Sequence, residues 1–265
     1  MTKSSAMADT AFPVDHTERF TGRVEAYRRF RSRFPREIIA LLNDHCELMP
    51  AHVIADLGAG TGMFSELFLE NGNSVFAVEP NAEMRAACDE LRSSYPRLTC
   101  VDATAEATCL PDRSVDFVTA ARAFHWFDQG KCHSELLRIL RPNGWVVIAS
   151  LGPRHGPEPV TREYEALLRE YGLDLDGRSG WCHIEDSARR FLSGCDMYKE
   201  QFVGVDHLDF EGVLGHSLSI SVTPRPGDPR FSTFQQAIRD YFERHQFQGT
   251  LALPTNCELY FGQLR

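Results

Sequence analysis

The stretch Ile54-Ala-Asp-Leu-Gly-Ala-Gly-Thr-Gly-Met-Phe64 carries the strongest structural signal in this chain. A short apolar run over residues 52–57 leads into three glycines at positions 58, 60 and 62, and apolar residues then recur at helical spacing. This order predicts a strand, a tight glycine turn and a helix. Glycine has no Cβ, so a ligand can approach such a turn closely, and the N–H groups of the following helix suit a polar or anionic ligand.

The spacing of the glycines indicates the class of ligand. Dinucleotide-binding turns usually follow the pattern G-x-G-x-x-G, whereas this turn follows G-x-G-x-G. Asp56 precedes the turn, and Glu79 ends the next predicted strand, residues 74–78. A carboxylate about twenty residues past the turn typically accepts hydrogen bonds from ribose hydroxyls. The pattern favours a nucleoside site without a pyrophosphate, and the alternative is a structural glycine turn in another α/β protein.

These residues resemble the cofactor motifs of class I S-adenosylmethionine (SAM) methyltransferases, small-molecule (methyltransferase type 11-like) group. The resemblance rests on Asp-Leu-Gly-Ala-Gly-Thr-Gly at residues 56–62 and on Val78-Glu79-Pro80. It implies an α/β, Rossmann-like fold with a seven-stranded, mostly parallel sheet whose last strand is antiparallel, helices on both faces and a helical cap. It implies S-adenosyl-L-methionine as the cofactor. The cofactor-binding residues implied in this way are Asp56, Gly58, Ala59, Gly60, Gly62, Glu79, Pro80, Met84, Thr104, Ala105, Glu106, Ala121 and Arg122.

A second motif follows the predicted third strand. Residues 103–111 resemble the family pattern Gly-Thr-Ala-Glu-x-x-x-Leu-Pro, with Ala103 in place of Gly. In the family this loop holds the adenine, which implies that Thr104, Ala105 and Glu106 form the adenine pocket. Asp102 is a rival for the same role, and a plain strand-to-helix loop is the alternative.

An aromatic and histidine cluster, Ala121-Arg-Ala-Phe-His-Trp-Phe-Asp128, follows the predicted fourth strand. Ligands of open parallel sheets bind at the carboxyl ends of strands, so we expect the methyl acceptor here. His125 and Trp126 are the candidate catalytic residues. His125 is a base or an orienting group, and Trp126 is an aromatic face for a developing cation. Phe124 is a candidate acceptor contact, and all three could instead be structural.

Residues near the N-terminus resemble a further family segment. Tyr27-Arg-Arg-Phe-Arg-Ser-Arg-Phe34-Pro35 is similar to Tyr-x-x-x-Arg-Pro-x-Tyr-Pro of small-molecule methyltransferases, with Ser32 where Pro is frequent. The resemblance implies that Tyr27 and Arg31 lie near the acceptor pocket. A basic helix that packs its aromatic residues on the sheet is the alternative.

Two residues depart from the family pattern near the expected acceptor pocket. Val222 stands where Tyr is usual, and Arg122 stands where Gln is common. A guanidinium can pair bidentately with a carboxylate, so one hypothesis is that Arg122 binds an acceptor carboxylate.

The chain divides into a short tail and one domain. Residues 1–15 are polar and small and are predicted to be disordered, whereas residues 16–265 form the methyltransferase domain. Within it we expect cap helices at 16–50 and an inserted helical cap at 152–196, after the fifth strand at 145–150. The preceding turn contains Asn143 and Gly144, which both accept a left-handed backbone. The last strand is predicted at 257–263.

Composition restricts the partners. The 265 residues are 43% hydrophobic and 25% charged, as in ordinary globular proteins, and the net charge of -9 disfavours nucleic acid. No apolar run reaches the length needed to cross a bilayer, and no signal peptide is evident. The eight cysteines form no C-x-x-C pair, so no metal site is expected. We predict a cytoplasmic monomer or homodimer with reduced cysteines and a small-molecule partner.

The sequence predicts a SAM-dependent methyltransferase that acts on a small molecule by in-line displacement and yields S-adenosylhomocysteine. The alternatives are an NAD-type oxidoreductase and a non-catalytic SAM-binding protein, and the acidic balance disfavours an RNA methyltransferase. The acceptor and the atom that is methylated stay open.

Overall fold

The computed structural model describes residues 20–172, 184–194 and 196–264 and contains one seven-stranded sheet. The predicted disordered tail at 1–15 lies outside these ranges. The strands are β1 (Val53–Leu57), β2 (Ser74–Val78), β3 (Leu98–Val101), β4 (Val115–Ala121), β5 (Leu140–Pro153), β6 (Tyr198–Leu208) and β7 (Leu251–Gln263). Their spatial order is β3-β2-β1-β4-β5-β7-β6. The predicted mostly parallel sheet with an antiparallel last strand is confirmed, and β7 lies between β5 and β6.

Helices cover both faces of the sheet. They are α1 (Val24–Phe30), α2 (Glu37–Cys46), α3 (Ser65–Glu70), α4 (Ala82–Asp89), α5 (Gln129–Ile139), α6 (Pro159–Tyr171), α7 (Ile184–Phe191), α8 (Phe210–Leu218) and α9 (Phe231–His245). On one face, Ile38 and Leu42 of α2 pack in a buried cluster with Phe68 of α3. On the other face, Leu136 of α5 and Ala188 of α7 belong to a second cluster. Because both faces are covered, the parallel strands are apolar nearly throughout.

A third buried cluster forms a cap beyond the carboxyl ends of the parallel strands. It joins α6, α8 and α9 to the first residues of β7, and α1 packs against α8. The predicted cap therefore needs correction. Among the described residues, α6 of the 152–196 insertion and α1 of the 16–50 segment belong to it, whereas α7 and α2 place their apolar sides on the sheet.

Two strands are longer than the sequence predicts. β5 begins at Leu140, and β7 begins at Leu251. The predicted turn survives as a bulge within β5, since Leu140 pairs with Val115 and Trp145 pairs with Phe117. Asn143 has φ 64°, but Gly144 does not adopt a left-handed backbone. Gly144 lies in a tight space, because a Cβ there would lie 3.0 Å from the backbone oxygens of Arg141 and Asp116.

The described ranges bear on three further expectations, which concern cysteine pairing, membrane-spanning helices and metal sites. The six cysteines within them form no disulfide, and Cys182 and Cys195 lie outside them. No helix among the described residues is long and apolar enough to cross a membrane. In the same residues no group of His, Cys, Asp and Glu could hold a metal ion.

Candidate active site

A cleft opens where β1 and β4 lie side by side. The chain leaves these strands toward opposite sides of the sheet, and the reversal creates a crevice at their carboxyl ends. The cleft is lined by Phe20, Tyr27, Gly58, Gly60, Glu79, Pro80, Met84, Thr104, Ala105, Glu106, Ala121, Arg122, Ala123, Trp126 and Phe127. The residues expected to bind the cofactor are all among them except Asp56, Ala59 and Gly62.

Glu79 is held in place by two backbone donors. The N–H of Gly60 donates to Glu79 Oε2 at 2.8 Å, and the N–H of Asn81 donates to Oε1 at 2.8 Å. The side chain is only 8% exposed, and burial raises the pKa of its carboxyl group while these two hydrogen bonds oppose that shift. A carboxylate oxygen can accept two hydrogen bonds, so each oxygen keeps capacity for a ligand hydroxyl in the cleft.

The three glycines of the turn are needed for different structural reasons. A Cβ on Gly58 would lie 2.5 Å from the Cβ of Ala123, and a Cβ on Gly62 would lie 2.8 Å from the Sγ of Cys88. By contrast, a Cβ on Gly60 would meet no heavy atom within 4 Å. Gly58 and Gly62 therefore permit close packing within the protein, whereas Gly60 leaves open space in the cleft.

Asp56, Ala59 and Gly62, which were expected to bind the cofactor, do not line the cleft in this structure. Asp56 is 1% exposed beneath the glycine turn, where its carboxylate accepts hydrogen bonds from Ser65 Oγ (2.6 Å) and Thr119 Oγ1 (2.7 Å). Ala59 packs against the core cluster, and Gly62 faces α4. These three residues pack against the interior side of the turn, so they position the residues that line the cleft.

The buried carboxyl group of Asp56 should make stability depend on pH. Desolvation raises its pKa from 3.8 to about 6, against the hydrogen bonds from Ser65 and Thr119. An acid with a higher pKa in the folded state binds its proton more tightly there, so stability falls as pH rises from about 4 to above 6. The full shift corresponds to about 3 kcal/mol.

We expect Asp56→Asn to remove this dependence, because an amide can pair with both hydroxyls without ionising. Between pH 4.5 and 7.5, the free energy of unfolding of the unmodified chain should fall by about 2 kcal/mol relative to Asp56→Asn. Urea denaturation at the two pH values measures it, with exposed Asp44→Asn as the control. If the free energy of unfolding differs between the Asp56→Asn variant and the unmodified chain by the same amount at both pH values, Asp56 is not the source of the pH dependence.

The loop after β3 lies at the cleft, where the sequence analysis placed it. Thr104, Ala105 and Glu106 all line it. Glu106 accepts a hydrogen bond from the N–H of Asp128 at 2.8 Å, which ties the loop to the start of α5. The rival, Asp102, pairs instead with Arg85 at 2.8 Å outside the cleft. The position of the loop agrees with the adenine role, which stays a prediction.

The aromatic cluster after β4 is split between cleft and core. Trp126 lines the cleft, but Phe124 is 2% exposed and packs edge-on against Phe191 of α7 with ring centroids 5.0 Å apart. Phe124 therefore belongs to the core in this structure, and its predicted contact with the acceptor stays a prediction. The ring of His125 lies against Trp126, with centroids 4.5 Å apart, and is not among the groups that line the cleft. Its role as a base or orienting group stays a prediction.

Arg122 lines the cleft with its guanidinium already engaged. Nε donates to the carbonyl of Leu151 at 2.9 Å, Nη2 donates to the carbonyl of Ser32 at 2.7 Å, and the group lies 4.7 Å from the ring centroid of Phe34. The Nε–Nη2 edge is one that a bidentate carboxylate would need, and two backbone carbonyls occupy it. This edge of Arg122 is therefore not free for an acceptor carboxylate, and a role of Arg122 in binding one stays a prediction.

With this geometry established, the comparison with known proteins is informative. Residues 55–148 match the family described as a methyltransferase domain. The chain carries a methyltransferase domain. The matched segment begins in β1 and ends in β5, so it contains the glycine turn, Glu79, the loop after β3 and the cluster after β4.

Relatives and solved structures agree with this domain. An uncharacterized methyltransferase of Mycobacterium tuberculosis H37Rv is 40% identical over 127 residues, which are 47% of this chain and 49% of the relative. An uncharacterized methyltransferase-like protein of Schizosaccharomyces pombe is 30% identical over 159 residues, 60% of each chain. The match thus spans about half the length of the first of these relatives.

Among solved structures, a protein from Anaeromyxobacter dehalogenans provisionally described as a type II methyltransferase has a TM-score of 0.61 and 27% identity. The match covers 89% of this chain and 98% of that one. The Haemonchus contortus phosphoethanolamine N-methyltransferase 2, solved with S-adenosylhomocysteine, has a TM-score of 0.51 at 18% identity and covers 91% and 56%. The second likeness shows the fold alone.

The cleft also contains residues that sequence reasoning did not assign. Phe20 lies edge-on to Tyr27 at 5.8 Å, and Phe127 and Ala123 complete the wall next to the glycine turn. Phe127 and Ala123 belong to the quoted cluster after β4, so its aromatic composition was the available signal. Phe20 lies outside every quoted motif, and only the packing of the chain reveals it.

Sequence reasoning also missed a buried chain of hydrogen bonds in the cap, which Tyr164, His216 and Ser217 form. Tyr164 Oη is 2.8 Å from both His216 Nδ1 and Ser217 Oγ, and Ser217 Oγ donates to the carbonyl of Val213. Ser217 has one proton, so Tyr164 must donate to Ser217, and Nδ1 of His216 must carry the proton that it shares with Tyr164. Burial and the charges of Arg31 and Arg122 hold the pKa of His216 well below 6.5. His216 is therefore neutral, with Nε2 an acceptor.

Proposed function

We propose that this chain is a SAM-dependent methyltransferase that transfers a methyl group to a small-molecule acceptor and releases S-adenosylhomocysteine. The observation that carries the proposal is the placement of the Glu79 carboxylate. It is fixed by the N–H groups of Gly60 and Asn81 at the edge of a cleft that opens at the switch between β1 and β4. The methyltransferase domain and the Anaeromyxobacter likeness support the same activity.

The residues in the cleft fit a nucleoside with an aminoacyl tail. Glu79 can accept from ribose hydroxyls, as acidic residues at the end of the second strand do in nucleotide-binding sheets. Thr104, Ala105 and Glu106 offer backbone and side-chain polar groups for a base edge. Open space beside Gly60 allows close approach of a polar tail to the backbone. The proposed ligand contains no pyrophosphate, so the cleft does not need a basic group to bind one.

Bound S-adenosylmethionine supplies a methyl group on a positively charged sulfur, which a nucleophile takes by in-line displacement. The protein's part is to align the acceptor and to exclude water, and alignment of two bound reactants can lower a barrier by about 7–11 kcal/mol. Tyr27 and Trp126 line the cleft as aromatic faces, each of which can stabilise a nearby cation by about 0.5–2 kcal/mol. Tyr27 comes from α1, so the cap closes this end and favours a small acceptor.

The direct test is ligand binding followed by turnover. S-adenosylhomocysteine at 100 times its Kd should stabilise the chain by about 2.7 kcal/mol, which raises the Tm by about 5–10 °C, whereas NAD should leave it unchanged. Methyl-labelled SAM should then transfer its label to a compound in a small-molecule extract. Stabilisation by NAD and not by S-adenosylhomocysteine would overturn the proposal in favour of an oxidoreductase. Tight S-adenosylhomocysteine binding without any transfer would favour a non-catalytic SAM-binding protein.

A further inference from the structure

Arg31 follows α1 and carries a guanidinium whose donors are largely unused. The group lies 5.3 Å from the ring centroid of Tyr27, and its hydrogen bond to the carbonyl of Ser219 is long at 3.5 Å. Its Nε is buried and has no hydrogen-bond partner among the described residues. Within those residues no carboxylate forms an ion pair with Arg31. The charge is therefore neither paired nor fully solvated.

The two neighbouring arginines use more of their donors than Arg31 does, although Arg23 Nε also has no partner among the described residues. Arg23 donates to the carbonyls of Leu218 and Thr223 at 2.6 and 2.7 Å, so it holds the turn after α8. Arg122 donates to two carbonyls in the same way. These hydrogen bonds to backbone carbonyls account for the burial of both side chains. Arg31 has no comparable set of partners, although it lies in the same region.

The electrostatic environment makes an unpaired guanidinium costly. Burial, followed by repulsion from Arg122, lowers the pKa of Arg31 to about 10. A buried charge without a partner destabilises a protein by several kcal/mol. No acidic side chain among the described residues offsets Arg23, Arg31 or Arg122, although the chain as a whole has a net charge of -9. A negatively charged ligand would supply the missing partner.

We propose that the methyl acceptor is an anion whose carboxylate or phosphate group binds the guanidinium of Arg31, with Arg122 adding a second positive charge. This inference rests on the proposed function. The planar fork of a guanidinium matches both oxyanions. Tyr27 contacts Arg31 and also lines the cleft, which connects the anion position to the acceptor end of the active site.

The guanidinium of Arg31 anchors the acceptor through this oxyanion. Arg31 is accordingly a specificity-determining residue, and His216, whose Nε2 has no partner in the described part of the chain, adds a neutral hydrogen-bond acceptor to the same buried region.

The first experiment uses the unmodified chain saturated with S-adenosylhomocysteine. One arm titrates butanoate, succinate and phenylacetate, each against its primary amide. The other arm titrates glycerol phosphate and phenyl phosphate against glycerol and phenol, all at constant ionic strength. We expect at least one anion to bind at least 10-fold more tightly than its neutral counterpart, and the arm in which it lies identifies the oxyanion. Equal binding of anions and neutral compounds, or binding of no anion in either arm, would overturn the inference.

The second experiment assigns the effect to Arg31. Arg31→Gln should weaken binding of the preferred anion about 10- to 100-fold, the range expected for hydrogen bonds to a charged group, and should leave the Kd for S-adenosylhomocysteine within about twofold. Arg31→Lys should be intermediate, because it keeps the charge and loses the fork. Arg33→Gln, an exposed neighbour paired with Glu66, is the matched control.

The outcomes of the two experiments separate the two proposals. Unchanged anion binding in Arg31→Gln would refute the role of Arg31. If Arg31→Gln fails to fold, as loss of S-adenosylhomocysteine binding and of cooperative unfolding would show, Arg31→Lys and the anion preference of the unmodified chain decide. Failure of the unmodified chain to bind S-adenosylhomocysteine would instead overturn the proposed function itself.

Discussion

Glu79→Ala should raise the Kd for S-adenosylhomocysteine by about 100- to 10,000-fold. In the proposed complex the carboxylate accepts from two ribose hydroxyls, and a hydrogen bond to a charged group contributes about 1.5–3 kcal/mol. Each 1.4 kcal/mol is a factor of ten in affinity. The substitution also removes the acceptor for the N–H groups of Gly60 and Asn81, so the glycine turn loses its fixed position. Titration calorimetry measures the change.

Two further variants make this result specific. Glu90→Ala removes an exposed carboxylate that pairs with Arg28 and should leave the Kd within about twofold. Glu79→Gln keeps the side-chain volume and one oxygen, so it should fall between Glu79→Ala and the unmodified chain. A change of less than threefold in Glu79→Ala would remove the observation on which the proposed function depends.

Gly58→Ala is expected to be the most destabilising small substitution in the cleft. Gly58 has φ 63°, and an added Cβ would lie 2.5 Å from Ala123 Cβ, an atom fixed to its own backbone. A left-handed backbone costs a non-glycine residue about 1–2 kcal/mol, and overpacking adds about 1–3 kcal/mol. Denaturant unfolding should therefore show a loss of about 2–5 kcal/mol.

Gly60→Ala is the matched comparison, because Gly60 has φ 59° but open space around its Cβ position. Its loss of stability should stay near the backbone term of about 1–2 kcal/mol. Its methyl group would enter the cleft, so this variant should lose affinity for S-adenosylhomocysteine while it stays folded. Equal destabilisation by the two substitutions would show that the contact with Ala123 is not what requires Gly58.

The parts of the site that could be predicted are contiguous in the sequence. The glycine turn, Glu79 and residues 104–106 belong to short motifs in which a strand end and the following loop are fixed by neighbouring residues. The mostly parallel sheet with an antiparallel last strand is implied by the family resemblance that these same motifs carry. The motifs depend on local backbone geometry, which residue types such as glycine and β-branched residues report directly.

The structure departs from the sequence-based expectations where the direction of a side chain depends on distant parts of the chain. Phe124 and Trp126 are two residues apart, yet Phe124 packs on α7 and Trp126 lines the cleft. Arg122 is held by the carbonyls of Ser32 and Leu151, which no local pattern connects to it. Asp56 is buried because β1 is covered on both faces, which a motif does not reveal.

The cap was incompletely predicted for the same reason. α6, α8 and α9 come from three separate stretches of sequence and meet only in the folded chain. Each is amphipathic, which predicts a helix with one buried face but not the partner of that face. The interpretation of 152–196 as one cap treated adjacent residues as neighbours in space, although α7 returns to the sheet.

The central position of β7 has a consequence for how the chain folds during synthesis. Trp145 of β5 pairs with Gln263, and Tyr198 of β6 pairs with Phe261, so β7 joins two strands that the ribosome has released long before it. Until residues 251–263 emerge, β5 and β6 present open edges, which favour aggregation. Leu251 and Leu253 also complete the cap cluster. We therefore expect nascent chains that end before residue 250 to be protease-sensitive and to require a chaperone.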